Sequence, residues 1–163
     1  MTEPLRTPRF LCDAMLGSLA RWLRFCGYDC RYLGTEPPDD ELARIAAAEG
    51  RWLLTRDHEL AAAGPRTQLV AAGTLEPQLA EVLRRHGLPE PEDLENSRCG
   101  ECNGVLEEVS AAQVADVVPP YVLKTAERFR RCTDCHRIYW PGTHGEQIHV
   151  RFARVRQLMS GSG

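Results

Sequence analysis

Lysine is almost absent from this sequence: of its 20 basic residues only Lys124 is a lysine, and the others are arginines. A planar guanidinium can fork onto phosphate groups or stack on bases, so the composition permits nucleic-acid binding, although an arginine-biased proteome would give the same count. The chain also lacks an apolar run approaching the roughly 20 residues that span a bilayer, and its first residues, MTEPLRTPRF, lack the charged-then-apolar order of a secretory signal. We therefore expect a cytoplasmic protein without a membrane partner.

A disulfide framework is the second absence that the sequence predicts. The seven cysteines are an odd number, and no secretory signal accompanies them. Four of them form two CxxC pairs, CGEC (99 to 102) and CTDC (132 to 135), separated by 29 residues. Two such pairs supply the four soft ligands of a tetrahedral, coordinatively closed zinc site, which holds a fold and leaves chemistry to other residues. The predicted zinc ligands are Cys99, Cys102, Cys132 and Cys135.

Two alternatives stay open for these cysteines. The pairs could be reduced or redox-active thiols without a metal, and His136, beside the second pair, could compete as a ligand. Guanidinium groups and aromatic rings also surround the second pair, and this combination suits phosphate and stacked-base contacts. A ring such as that of Trp140 could equally belong to the core of the module. The RNA-contacting candidates in this region are Arg131, Arg137, Trp140 and His144.

Short apolar runs alternate with amphipathic stretches over the first ninety or so residues. The runs are RFLC, YDCRYLG, RWLLT and TQLVAAG, and a stretch with helical spacing follows each of them. This βαβαβαβα order predicts an α/β protein with a parallel sheet covered by helices. The segment LPEPEDLENS (88 to 97) breaks the pattern and indicates a linker, and the basic tail after residue 150 is expected to form a short helix.

Acidic residues follow three of the predicted strands: Asp13, the DDE cluster at 39 to 41, and Asp57. Ligands of an open parallel sheet bind beyond the carboxyl ends of its strands, so these side chains are expected at one edge. Converging carboxylates are tolerated when a hard divalent cation compensates their charge, and Mg²⁺ or Mn²⁺ held in this way can clamp a phosphodiester and activate water. Each acid is also a good helix N-cap, and capping alone would explain the same pattern.

Other polar residues lie near this predicted edge. Thr55 could hydrogen-bond a ligating carboxylate or simply complete the end of a strand. Arg21 and Arg24 are three residues apart on the first predicted helix, so they share a face that begins near Asp13. They could hold substrate phosphates, although a solvated polar face explains the pair equally well.

Five further residues are interpreted without a chemical role. Cys12, Cys26 and Cys30 fall on apolar patterns and are expected to be buried fillers. His58 and His86 have no evident partner in the sequence and are interpreted as surface residues.

Longer blocks of the sequence resemble a known family. FLCDAMLGSLARWLRFCGYD, DDELARIAAAEGRWLLTRDHELA, EPQL, SRCGECNGVLEEV and RRCTDCHRIYWPGTH are together similar to the Mut-seven C-terminal RNase family. In that family a PIN-like nuclease domain precedes a zinc ribbon, and the resemblance covers roughly residues 9 to 150. It implies a PIN-like domain over residues 8–92, a zinc ribbon with a short basic tail over 96–150, and metal-dependent cleavage of RNA.

The resemblance also implies roles for individual acids. Asp13, Asp39 and Asp57 take the catalytic positions that hold Mg²⁺ or Mn²⁺, with Asp40 and Thr55 as second-tier candidates. Asp39 and Asp40 are alternatives because a shift of one helical residue turns a side chain by about 100°. Many PIN-like nucleases have a fourth acid after the next strand, where this chain offers Glu76. The number of metal ions, one or two, therefore stays open.

These inferences lead to one functional hypothesis and two alternatives. The hypothesis is an endoribonuclease that hydrolyses RNA phosphodiester bonds at an acidic Mg²⁺ or Mn²⁺ site, with the zinc ribbon, Arg21 and Arg24 helping to dock single-stranded or structured RNA such as tRNA or rRNA. The first alternative is a non-catalytic RNA-binding or ribosome-associated protein that keeps the PIN-like shell. The second is the toxin of a toxin–antitoxin pair, whose partner would be an antitoxin.

Overall fold

Four parallel strands joined by helices form the first part of the chain. A computed structural model describes residues 7–161, apart from the side chains of residues 143 and 144. The strands are β1 (Phe10–Cys12), β2 (Cys30–Tyr32), β3 (Trp52–Thr55) and β4 (Thr67–Leu69). The helical segments are a 3₁₀ turn (Ala14–Leu16), α1 (Gly17–Phe25), α2 (Asp39–Glu49), α3 (His58–Ala61) and α4 (Leu75–Arg85). The predicted α/β order and the predicted parallel sheet are confirmed.

The strand order of this sheet is β2-β1-β3-β4, so β1 and β3 are the central strands. At the carboxyl end of β1, Cys12 is paired with Tyr32 of β2 and with Leu54 of β3. The residues that follow these strands therefore lie at one edge of the sheet. Asp13 comes directly after β1, and Thr55 is the last residue of β3.

The two faces of the sheet bury separate apolar clusters, which is why its central strands are continuous hydrophobic runs. On one face Phe10 packs with residues of α1 and α4, among them Leu23 and Leu79. On the other face Leu11 and Leu53 pack against α2. Burying a side chain of this size stabilises the fold by about 1.5–3 kcal/mol, so the central strands hold the edge residues in fixed positions.

A smaller antiparallel sheet follows residue 98. Its elements are β5 (Leu106–Val109), α5 (Ala111–Val114), α6 (Pro120–Thr125), β6 (Phe129–Cys132) and β7 (Ile138–Tyr139), with strand order β5-β6-β7. Ser110 begins α5 with a capping box, in which its side chain and that of Gln113 each accept a backbone N–H of the other residue. A small core of Val114, Val118, Val122 and Phe129 supports the sheet.

The last helix, α7 (Thr143–Ser160), is longer than the short basic helix predicted for the tail. Phe152 and Val155 are fully buried, and the Phe152 ring lies edge-on to Trp22 of α1. These apolar residues are spaced by three among arginines, so α7 packs onto the helices of the parallel sheet. Among residues 7–161, no helix combines the length and the apolar character needed to cross a membrane.

Candidate functional site

The four cysteines of the CxxC pairs converge on one point. The Sγ atoms of Cys99 and Cys135 are 3.6 Å apart, and those of Cys102 and Cys132 are 3.4 Å apart. A tetrahedral site with Zn–S bonds of about 2.3 Å places its sulfurs about 3.8 Å apart, so this spacing fits zinc. Among the described residues, these cysteines are the only group of three or more His, Cys, Asp or Glu side chains whose ligand atoms lie within 4.8 Å of one another. The cluster indicates a zinc site.

The backbone turns tightly after each CxxC pair. Asn103 and His136, the residues that follow the two pairs, adopt left-handed conformations with φ of 71° and 64°. Gly104 comes so close to the sulfurs that a Cβ atom there would lie 2.5 Å from Cys132 Sγ, and only glycine avoids this clash. His136 is thus a turn residue and is not one of the clustered ligands.

Hydrogen bonds prepare the buried Cys99 thiol for metal binding. The hydroxyl of Tyr139 lies 3.0 Å from Cys99 Sγ. Burial alone would raise the pKa of Cys99, but the Tyr139 hydroxyl and two backbone N–H groups of the same turn lower it to about 7. Because metals bind the thiolate, this residue is well suited to act as a ligand near neutral pH.

The turn that carries the first CxxC pair contacts β2, an outer strand of the parallel sheet. The side chain of Asn103 donates to Asp29 Oδ1 over 2.7 Å and accepts the backbone N–H of Cys30 over 3.0 Å. Since β2 is an edge strand, this amide satisfies a backbone donor that would otherwise lack a strand partner. Burial would raise the pKa of Asp29, but hydrogen bonds from Arg51 and Asn103 hold it below its ordinary value. The cysteine cluster and the sheet therefore share a buried polar network.

The second cluster of interest is centred on Asp13, whose carboxylate is buried at the carboxyl end of β1. One oxygen accepts the backbone N–H of Ala14 over 2.7 Å, and the other accepts the hydroxyl of Thr55 over 2.8 Å. The same hydroxyl oxygen accepts the backbone N–H of Asp57 over 3.0 Å. Thr55 thus links Asp13 to the turn that carries Asp57.

Asp57 also acts as a helix cap. Its Oδ1 accepts the backbone N–H groups of Glu59 and Leu60 over 2.8 and 3.2 Å. The capping interpretation is therefore correct for Asp57, as it is for Asp13, which caps the 3₁₀ turn. A carboxylate has about four lone-pair sites, so capping leaves acceptor capacity on both acids.

Asp39 and Asp40 are exposed in the first turn of α2. The N-cap of this helix is Pro38, and no side chain caps it, so the capping interpretation is wrong for Asp39. The carboxylates of Asp13, Asp39 and Asp57 are not all within 4.8 Å of one another. Carboxylate oxygens suit a hard cation such as Mg²⁺ or Mn²⁺. The Thr55 hydroxyl joins the Asp13 carboxylate to the backbone N–H of Asp57, and the Asp57 carboxylate takes no part in this link.

Glu76, the fourth acid considered, lies in α4 and forms a 3.7 Å ion pair with Arg151 of α7. This contact directs its side chain toward α7.

The two arginines of α1 have different environments. Arg21 is exposed, and its guanidinium is 3.5 Å from the carboxylate of Glu101 in the first CxxC pair. Arg24 is buried, and it donates to the backbone carbonyls of Cys30 and Gly100 over 2.8 and 2.9 Å. The expectation that Arg24 contacts RNA is corrected for this reason: its guanidinium joins the sheet to the cysteine turn.

The RNA-contacting candidates around the second CxxC pair lie near β6 and β7 of the antiparallel sheet. Arg131 is half-buried and 3.6 Å from Glu107, whereas Arg137 is exposed. Trp140 is 39% exposed, so its ring is partly available to a ligand. The side chain of His144 lies outside the described residues.

The remaining sequence interpretations divide. Cys12 and Cys30 are buried as expected, and Cys26 is partly buried. The interpretation of His86 as a surface residue is wrong: its Nε2 is 2.8 Å from Gln68 Oε1, and its ring lies against Phe10 and Trp52. These partners are far away in the sequence, so no local pattern indicated them.

Residues at the acidic edge were also missed. Tyr32 ends β2 with a partly exposed ring, and Arg56 is exposed between Thr55 and Asp57. Tyr32 ends β2 and Arg56 directly follows β3, the two strands that flank β1, and this position at the strand ends was a signal that could have identified both residues.

Fold and clusters together define the class of protein: an α/β chain with a four-strand parallel sheet flanked by helices, and four clustered cysteines that suggest a zinc site. The family model described as the Mut7-C RNAse domain matches residues 8–152, so the chain belongs to this family. The predicted resemblance is confirmed, and membership points to a nuclease.

One curated protein, the "Exonuclease mut-7 homolog" of Homo sapiens, is 35% identical to this chain over 106 residues. The aligned region covers 61% of this chain but only 12% of that protein. No solved structure matches the chain.

Proposed function

We propose that this protein is a metal-dependent endoribonuclease that hydrolyses RNA phosphodiester bonds at the carboxyl edge of its parallel sheet. The observation that carries the proposal is the buried Asp13 carboxylate, which the Thr55 hydroxyl joins to the Asp57 turn in a chain of an RNase-domain family. A buried acid at the end of a central parallel strand occupies the place where open α/β sheets bind their ligands.

The proposed metal ligands are Asp13, Asp57 and one of the two acids that begin α2, Asp39 or Asp40. A bound Mg²⁺ or Mn²⁺ would supply an activated water and compensate charge on the phosphate. Two hydrogen bonds fix Asp13, which therefore needs little rearrangement to act as a ligand. Thr55 is proposed to act through Asp13, as a positioning residue.

We further propose that residues 8–92 form a PIN-like nuclease domain and residues 96–150 a zinc ribbon. The ribbon would stabilise the fold and extend the RNA surface. We call the route from Asp13 to the cysteines and β7 the RNA path. Arg21 supports it, because Arg21 lies on the helix that begins near Asp13 and its side chain pairs with Glu101 of the first CxxC pair. Arg137 and Trp140 would continue the path beyond the cysteines, while the buried Arg24 is left out of it.

A second candidate function is a non-catalytic RNA-binding protein. It is favoured by one observation: Asp13 and Asp57 both serve as helix caps, and the three acids do not form a compact cluster. In this case the acids would stabilise the turns at the strand ends and would not bind a cation.

The test uses two single-stranded RNAs of the same sequence, one linear and one circular. The zinc-loaded protein is incubated with each RNA, with and without added Mg²⁺ or Mn²⁺. A chelator is avoided because it would also remove zinc. The proposal predicts metal-dependent cutting of both RNAs. Degradation of the linear RNA alone would indicate an exonuclease, and binding of both RNAs without cutting would favour the second candidate.

The RNA path has its own matched pair of variants. Arg137→Ala should weaken RNA binding several-fold at low salt, because a phosphate contact is lost. Arg44→Ala is the control, since Arg44 is exposed on α2 and pairs with Glu41 on the same helix. Equal binding by the two variants would remove Arg137 from the path.

A further inference from the structure

Tyr32 is a partly exposed aromatic residue of the edge strand β2. It is the last residue of β2, at the carboxyl edge of the sheet, and 36% of it is exposed. Its hydroxyl donates to the backbone carbonyl of Ala14 over 2.7 Å, so the polar end of the side chain is already satisfied. Since the hydroxyl is engaged, the ring is what this residue offers to a ligand.

A glycine of α1 leaves room for the Tyr32 ring. A Cβ atom added to Gly17, the first residue of α1, would lie 3.0 Å from Tyr32 Cζ, so the ring rests where this glycine leaves room. Contacts at Ala14 and Gly17 fix the side chain at two points. A ligand that stacks on a ring held in this way orders little of the protein, which reduces the entropic cost of binding.

The hydroxyl end of this side chain reaches the turn that follows Asp13 in the proposed acidic site. Tyr32 is the register partner of Cys12, the residue directly before Asp13. The Ala14 carbonyl that holds the Tyr32 hydroxyl belongs to the same short turn that Asp13 caps. Met15 of that turn is 62% exposed, so the turn that holds the Tyr32 hydroxyl also carries exposed apolar surface.

We propose that Tyr32 forms a nucleobase-stacking subsite beside Asp13, which takes an unpaired base of the RNA strand close to the phosphate that is processed. That the ligand of this subsite is RNA rests on the proposed function. Bases stack on aromatic side chains whatever their sequence, because every base has a π face. Only an unstacked base can occupy such a site, so the subsite favours single-stranded RNA over duplex RNA.

The direct test is an abasic scan on the wild-type protein. Oligoribonucleotides of one sequence, each too short to bind in more than one register and with a single abasic position, are measured for equilibrium binding to the zinc-loaded protein without added Mg²⁺ or Mn²⁺, so that no cleavage is needed. The inference predicts one position at which removal of the base weakens binding by roughly 5- to 150-fold, the range of a lost base–aromatic stack.

Three variants then assign that effect. Tyr32→Leu should bind the unmodified RNA more weakly than the wild type, by the same factor as the loss of the base. In this variant, removing the base at the sensitive position should weaken binding no further. Tyr32→Phe keeps the ring and its contact with Gly17 but loses the Ala14 hydrogen bond, so it should keep the sensitive abasic position and bind between the wild type and Tyr32→Leu. Tyr121→Leu is the matched control, because Tyr121 is an exposed tyrosine of α6 in the other unit.

Several results would overturn the inference: wild-type protein that does not bind RNA, a scan without a sensitive position, or a Tyr32→Leu variant that keeps the wild-type abasic profile. The scan on wild-type protein answers the question even if a variant folds poorly. Base-dependent binding without cleavage on adding Mg²⁺ or Mn²⁺ would support the subsite and contradict the endonuclease. Cleavage without base-dependent binding would do the reverse.

Discussion

The cysteine cluster and the acidic edge present ligand-type side chains in opposite ways. The four cysteines point their sulfurs at one another, within 4.8 Å, from two short backbone turns. The acids of the edge come from separate elements, and Asp13 and Asp57 already accept backbone N–H groups. The first arrangement is closed and suits a structural metal. The second is spread over the carboxyl end of a parallel sheet, the place where open α/β sheets bind their ligands.

The difference shows how much of each site is local. A CxxC pair builds half of a metal site within four residues, and its geometry needs only a tight turn. An acidic edge depends on strand order, and here β1 and β3 must be neighbours before Thr55 can reach Asp13. The two regions are nevertheless connected, since Asn103 of the cysteine turn binds Asp29 and Cys30 of the sheet.

The largest expected effect comes from breaking the closed site. Cys132→Ser should lower zinc affinity by orders of magnitude, because four-ligand zinc sites contribute on the order of 10 kcal/mol and the buried Cys132 is one of the four ligands. Metal analysis and thermal unfolding of the purified protein measure this loss. Cys26→Ser is the control, and it should keep one zinc ion per chain. Equal zinc contents in the two variants would show that the cluster is not a zinc site.

The link within the acidic edge is the next largest. Thr55→Val removes the hydroxyl that Asp13 accepts and that receives the Asp57 N–H. A buried carboxylate oxygen and a partly buried backbone N–H then lose their partner, so the free energy of unfolding should fall by about 2–4 kcal/mol. Urea denaturation measures the change. Thr55→Ser retains a hydroxyl and should recover most of the stability; a serine variant as unstable as the valine variant would show that packing of the methyl group matters instead.

The connection between the two regions has a smaller expected effect. Asn103→Gly keeps the left-handed backbone but removes the amide that binds Asp29 and the Cys30 N–H. We expect a loss of about 1–3 kcal/mol in the free energy of unfolding, with bound zinc retained. Denaturation and metal analysis on the same sample check both parts. Loss of zinc would mean that Asn103 serves the cysteine turn itself more than its docking on the sheet.

The smallest effect is expected at the opposite, amino-terminal end of the parallel sheet. Burial, together with the charge of Arg85, lowers the pKa of His86, so the unfolded chain takes up a proton more readily than the folded one. Stability that depends on neutral His86 should therefore be complete above the unfolded pKa of about 6.5 and decrease as the pH falls below it. Denaturation between pH 5 and pH 8 should show this slope in the wild type and a flatter profile in His86→Gln. Identical profiles would exclude the histidine as its source.

Sequence patterns predicted the parts of this molecule that depend on neighbouring residues. Apolar runs and helical spacing gave the parallel sheet, and the CxxC spacing gave the four clustered cysteines. The role of Arg24 was misjudged because one of the carbonyls that accept its hydrogen bonds, that of Gly100, lies 76 residues away in the chain. The length of α7 was underestimated because Phe152 and Val155 only make sense as core residues once α1 and α4 are in place.

The acidic edge lies between these cases. Its position followed from the strand pattern, and the capping role of Asp13 and Asp57 followed from residue type. The Thr55 hydroxyl that joins them could be named as a candidate, but its two partners depend on the register of β1 against β3. The pairing of a metal with these acids stays a prediction.

Asp13 is proposed to serve RNA cleavage as well as capping, and one substitution separates these roles. Asp13→Asn keeps an oxygen that can accept the Ala14 N–H, and the Thr55 hydroxyl can turn to accept from the new amide, so the fold should be retained. The substitution removes the negative charge that a divalent cation requires. With Mn²⁺ or Mg²⁺ and a circular RNA, the variant should cleave more than about 100-fold more slowly than the wild type under single-turnover conditions, a loss typical of removed transition-state charge stabilisation. A folded Asp13→Asn protein that cleaves at the wild-type rate would contradict a catalytic role for Asp13.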